Sequence, residues 1–206
     1  MMAKEFTALY LRNGMQNETS ATTYAIRNTQ YVLVLAYGNP LRRDDGVGWV
    51  IGERLAELLP EEAVDVRVLH QLTPELAEPI SRAERVIFVD AAEPARRMNS
   101  ASDTENPLKR VVAPDDSDDE PGAIHWTEIQ PSSFTAQPFT HQVDPASLLA
   151  AAQELFGYAP PAHLLTVTGA DFGFGEGLSA EVANAVEKVI EQIHRLIERR
   201  RLGIGE

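Results

Sequence analysis

Short unbroken apolar blocks alternate along the chain with stretches whose apolar positions recur at helical spacing. Val32 to Ala36 is wholly apolar, too short for a stand-alone helix and without the alternation of a half-exposed strand. It therefore predicts a strand buried on both faces, as in a parallel sheet. Gly38-Asn39-Pro40 breaks that strand, and Val47, Val50, Ile51, Leu55, Leu58 and Leu59 follow at helical spacing. A strand, a tight loop and a helix are predicted. The adjacent carboxylates Asp44 and Asp45 fall at the helix start, where the macrodipole favours acidic groups.

The same alternation continues downstream. Val64 to Leu69 alternates apolar residues with Asp65 and Arg67 and predicts a second strand. Thr73-Pro74-Glu75 opens a helix, with threonine as N-cap and proline at the first helical position, running through Leu76, Ile80 and Ala83. Arg85 to Val89 predicts a third buried strand that delivers Asp90 at its carboxyl end. Ala123 to Ile129 predicts a fourth strand, and Asp144-Pro145 caps a helix that passes Leu148, Leu149, Ala152 and Leu155 before stopping at Gly157. His163 to Thr168 predicts a fifth strand and Gly169 to Gly177 a glycine-rich loop. Ser179 then caps a last helix with the stripe Val182, Val186, Val189, Ile190, Ile193 and Ile197. Strands alternating with helices give an α/β domain over residues 31–200, with strand order 2-1-3 expected around the first strand.

Two stretches lack such a period. Residues 1–30 mix polar and scattered apolar positions and are expected to be a poorly ordered extension. Residues 93–122 carry Arg96, Arg97, Asn99 and Ser100 and then the acidic tract from Asp115 to Glu120, and are expected to be a mobile insertion.

Charge and composition narrow the chemistry. With 206 residues, 44% of them hydrophobic, the chain can bury one sizeable core. Eighteen Lys+Arg against 31 Asp+Glu give a formal charge of −13, which disfavours nucleic acid and anionic membrane as partners and favours a metal or a basic segment. The absence of cysteine removes disulfides, thiolate metal sites and a cysteine nucleophile together. No run is long and apolar enough for a bilayer, and the N-terminus lacks an apolar signal region, so a soluble cytoplasmic protein is expected.

The loop after the first strand lacks the Gly-Lys-Ser/Thr of a phosphate loop and the three-glycine dinucleotide fingerprint, and two carboxylates would repel a phosphate. A cation suits it better, although Asp44 and Asp45 could simply cap the helix. Asp90, at the end of a buried parallel strand, is costly unless paired or wet. Neighbouring strands lie about 5 Å apart, so Asp45 and Asp90 could face one ion. Of five histidines, His141 stands in a loop just before a capped helix, whereas His70, His125, His163 and His194 fall on predicted strands, strand edges or a helix. Asp45, Asp90 and His141 would give a divalent ion three ligands and leave positions open, the pattern of a catalytic site. No Gly-x-Ser-x-Gly elbow or His-Glu-x-x-His helix competes.

Gly38-Asn39-Pro40-Leu41-Arg42-Arg43-Asp44-Asp45-Gly46-Val47-Gly48 resembles the opening motif of the hydrogenase maturation proteases, and the match continues through Leu72 to Leu76, Val86 to Ala91, His141, Gly169 to Gly173 and Leu178-Ser179. The resemblance implies a three-layer α/β/α sandwich with a mostly parallel, twisted five-stranded sheet. It also implies an aspartic-type, nickel-recognising endopeptidase that trims the C-terminus of the [NiFe] hydrogenase large-subunit precursor. Asp45, Asp90 and His141 match the family's metal-binding and catalytic positions, and the nickel is expected to arrive with the precursor. Two other classes stay open: a checkpoint chaperone that binds metal-loaded large subunit without cutting it, and a metal-assisted hydrolase of small molecules.

Overall fold

A computed structural model describes residues 31–60, 64–94, 120–132 and 143–201. The expected N-terminal extension, most of the acidic insertion and His141 lie outside the described residues. Strands β1 (Val32–Tyr37), β2 (Val64–Leu69), β3 (Arg85–Ala92), β4 (Ile124–Ile129) and β5 (Ala162–Thr168) form one sheet in the order β2-β1-β3-β5-β4. All pairings are parallel except β4 with β5. The chain moves outward from β1 to β2 and then returns to the other side of β1 for β3. The sheet therefore reverses direction between β1 and β3, where doubly wound folds bind their ligands.

Period-two alternation deals the residues of each central strand to two cores, which is why β1 and β3 read as continuous apolar runs. Val32, Val34, Ala36, Ile87 and Val89 pack under α1 (Val47–Leu58) and α4 (Ala180–Arg201). Leu33, Leu35, Val86 and Phe88 pack under α2 (Ala77–Arg82) and α3 (Pro145–Phe156). The result is the expected three-layer α/β/α sandwich. No helix among the described residues is long and apolar enough to cross a membrane.

At α3 the expected cap is formed: Asp144 Oδ1 accepts the backbone N–H of Ser147 at 2.9 Å, Pro145 takes the first turn and Gly157 ends the helix. Three local expectations need correction. Pro74–Leu76 is a 3₁₀ turn preceding α2, and Thr73 makes no side-chain cap bond. Asp44 and Asp45 do not cap α1: they sit in a separate 3₁₀ turn, Arg43–Gly46, and α1 begins after Gly46 with no acidic residue in its first turn. Finally, β3 continues past Asp90 to Ala92, because β5 goes on pairing with it through Thr168.

Helix α1 can sit this close to the sheet only because of Gly48. A Cβ there would stand 2.2 Å from the Tyr37 carbonyl oxygen at the end of β1 and 2.7 Å from that of Val89 in β3. Gly48→Ala must push backbone against backbone. It is expected to cost about 3 kcal/mol, read as a lower urea midpoint with an unchanged slope.

Candidate active site

Beyond β1 the chain reverses at Gly38, whose φ of 144° is open mainly to glycine and whose missing Cβ would lie 1.9 Å from the Asp45 carbonyl oxygen. The loop is thereby folded onto itself, and the Asn39 N–H donates to Asp45 Oδ2 at 3.2 Å. Asp45 is half-buried at the carboxyl end of β1. The last β1–β3 pair is Ala36 with Val89, so Asp90 lies just past the end of that pairing while β5 still supports it through Thr166. Its Oδ1 accepts the Ala91 N–H at 2.8 Å, and the Tyr37 hydroxyl donates a further hydrogen bond to it.

Burial pushes the Asp90 carboxyl up to about 6; the Ala91 N–H and the Tyr37 hydroxyl pull it down, and the nearby charge of Asp45 raises it again. Burial, followed by the charge of Asp90, drives the Tyr37 hydroxyl far above its ordinary value, with a smaller contribution from Asp144, so it remains a neutral donor. The two carboxylates thus lie close enough for the charge of Asp45 to act on Asp90, whose carboxyl titrates near 6. Such a pair can hold a cation or exchange a proton with substrate.

Asp44, next in sequence to Asp45, does a different job. It is fully buried and accepts backbone N–H groups from Ala170 (2.7 Å), Asp171 (2.9 Å) and Ser179 (2.7 Å). Burial alone would raise its pKa, but these three donors outweigh burial and hold it below the ordinary carboxylate range. Its own N–H donates to the Asp171 carbonyl, Arg43 N–H to Gly175 and Gly175 N–H to Leu41. The Arg43 guanidinium pairs with Asp171 at 3.2 Å. The glycine-rich β5–α4 loop is therefore latched to the β1–α1 loop that carries Asp45.

Solved structures with this architecture include a [NiFe] hydrogenase maturation protease HycI from Thermococcus kodakarensis KOD1, 18% identical over 84% of this chain and 96% of that one, with a TM-score of 0.56. The hydrogenase maturating endopeptidase HybD from E. coli is 23% identical over 84% of this chain and 94% of its own, with a TM-score of 0.54. A hydrogenase 2 maturation peptidase from Thaumarchaeota archaeon SCGC_AB-539-E09 is 22% identical over 85% and 99%, with a TM-score of 0.52. The chain shares their fold. No family model matches the sequence, and neither does any curated protein.

Of the three expected site residues, Asp45 and Asp90 come together and His141 lies outside the described residues. The chain re-enters the described structure near Tyr37: Val143 and Tyr37 both pack against the same core cluster, and the charge of Asp144 reaches the Tyr37 hydroxyl. The other histidines are engaged or remote. His125 Nε2 lies 3.2 Å from Thr168 Oγ1, His70 stacks on Trp49 at 4.5 Å, His163 meets Trp126 edge-on, and His194 is exposed on α4. Among the described residues no cluster of three or more His, Asp or Glu side chains could hold a metal. Two functional contributors escaped the sequence reading. Tyr37, one residue past the apolar block Val32 to Ala36, carries no local sign of its bond to Asp90, and the partners of Asp44 lie 126 to 135 residues away.

Proposed function

We propose that this protein is an endopeptidase that removes the C-terminal extension of a [NiFe] hydrogenase large-subunit precursor once nickel has been inserted. The observation that carries the reading is the Asp45–Asp90 pair, within reach of one another's charge at the switch point of a sheet that folds like those of solved maturation proteases. Two carboxylates crowded in a partly dry site repel each other, and a cation relieves that repulsion. A pair of oxygen ligands is an incomplete set, suited to an ion that arrives with ligands of its own. His141, two residues from Val143 and so within about 7 Å of it along the chain, is the proposed third ligand.

Nickel bound in the precursor supplies Lewis acidity at the scissile carbonyl. Asp45 and Asp90 hold the precursor at the rim by this ion. Tyr37 and the Ala91 N–H fix the orientation of Asp90. Whichever carboxylate oxygen is left free accepts a proton from the attacking water and returns it to the departing amine. A pKa of about 6 suits that exchange near neutrality.

The test is incubation with nickel-loaded and nickel-free precursor, read by intact mass. Loss of a C-terminal peptide is expected only from the loaded form, and His141→Ala should abolish it while His194→Gln cleaves as wild type. A loaded precursor that binds but keeps its mass would replace the protease with a checkpoint chaperone.

A further inference from the structure

On the loop that carries Asp45, and on the β5–α4 loop latched to it, two large apolar side chains stand in water. Phe174 is 91% exposed and Leu41 58%. They are neighbours across the latch: Arg42 and Gly175 form a parallel bridge, which sets Leu41 beside Phe174 in register. The backbone beneath them is fixed by the Gly175 N–H to the Leu41 carbonyl and by the Arg43 N–H to the Gly175 carbonyl, both 2.9 Å. Arg42 Nη2 adds a hydrogen bond to the Phe172 carbonyl at 3.2 Å. Phe172 itself is tucked against Gly169, where a Cβ would come within 2.5 Å of its ring. Of two phenylalanines in one short loop, one is packed and the other is presented.

We infer that Leu41 and Phe174 form a rigid apolar knob that docks the polypeptide substrate beside the cleavage site. The inference rests on the protease reading above and names the surface by which that same site holds its precursor. Apolar surface held on a fixed backbone gains free energy only when a partner buries it, and the fixed backbone leaves little ordering entropy to lose on binding. Asn39 ties the knob to the site, its side chain accepting the Leu41 N–H at 3.0 Å and its N–H donating to Asp45 Oδ2 at 3.2 Å, so a partner that engages both must span the knob and the carboxylate pair together. A folded precursor can do so and a small molecule cannot. Of the two arginines beside the knob, Arg43 is already paired with Asp171 and Arg42 donates to the Phe172 carbonyl, so the complementary recess is chiefly apolar.

The test measures steady-state cleavage of nickel-loaded precursor by wild type, Phe174→Ser, Leu41→Ser, the double variant, and Phe174→Leu as the conservative replacement. Leu155→Ser, an exposed apolar site on α3, serves as the control, and melting curves establish that each variant folds. KM should rise about tenfold for Phe174→Ser and further for the double variant, with kcat unchanged, while Phe174→Leu stays near wild type and Leu155→Ser is silent. Cleavage by wild type with an unchanged KM in the double variant overturns the knob and leaves the protease reading intact. A fall in kcat alone, or an equal KM rise in Leu155→Ser, also overturns it. Failure of wild type to cleave overturns both.

Discussion

Asp44→Ala is expected to destabilise the fold by about 4 kcal/mol, because three backbone N–H groups lose a charged acceptor at once. Hydrogen bonds to a carboxylate are stronger than neutral ones, and those from Ala170, Asp171 and Ser179 are all shorter than 3 Å. Part of the loss is recovered by water, since Ala170 and Asp171 are exposed; the Ser179 N–H, at the start of α4, is less accessible. Asp44→Asn should cost about half as much, because the amide oxygen can still accept while its NH₂ group faces other donors. The pH dependence gives an independent check. A carboxylate held below its ordinary pKa contributes stability that is present at neutral pH and lost as the pH falls through its folded value. The gap between wild type and Asp44→Asn in urea denaturation should therefore narrow on acidification. A gap that stays constant, or an Asp44→Ala loss below about 1 kcal/mol, would show that the latch does not hold the two loops together.

The sheet was legible because its strands obey a purely local rule. A strand covered on both faces must be apolar throughout, and Val32–Ala36 and Arg85–Val89 are nearly so. The cap and stop of α3 were legible for the same reason, since Asp144, Pro145 and Gly157 act on residues within four of themselves. What local rules could not reveal was the division of labour between Asp44 and Asp45. Neighbours in a 3₁₀ turn point their side chains in different directions, and here one points into the body of the protein and the other back along the loop to the Asn39 N–H. Sequence offered two adjacent carboxylates and the one cause that acts locally, helix capping. That cause is not at work, because the turn intervenes before α1. The end of β3 was misread on a sound premise applied in the wrong place. A carboxylate inside a buried strand is costly, but the pairing of β3 with β1 stops one residue earlier, at Val89, so at Asp90 the strand continues on the support of β5 alone. Both misreadings fall at the site, where local preference and the demands of chemistry pull apart.

Asp90→Asn should abolish cleavage and, in the same protein, make the fold more stable at alkaline pH. A carboxyl raised from an ordinary 3.8 to about 6 contributes stability that is fully present below the unfolded value and lost as the pH rises through 6. Ionising it in the folded protein therefore costs roughly 3 kcal/mol by pH 8, because burial and the charge of Asp45 oppose the second negative charge. Asparagine has the same shape, can still accept from the Ala91 N–H and never ionises. The variant should match wild type below the unfolded value of 3.8, gain on it as the pH rises from there through about 6, and exceed it by up to about 3 kcal/mol at pH 8. In the cleavage assay it has neither the charge to hold the precursor's nickel nor a basic oxygen for the proton, and the rate should drop by at least about a thousandfold. A merely structural carboxylate would lose stability on substitution, and a bystander would change neither property. Asp90→Asn at normal cleavage rate would remove it from the reaction, and denaturation curves with the same pH dependence in both proteins would remove the strained carboxylate pair.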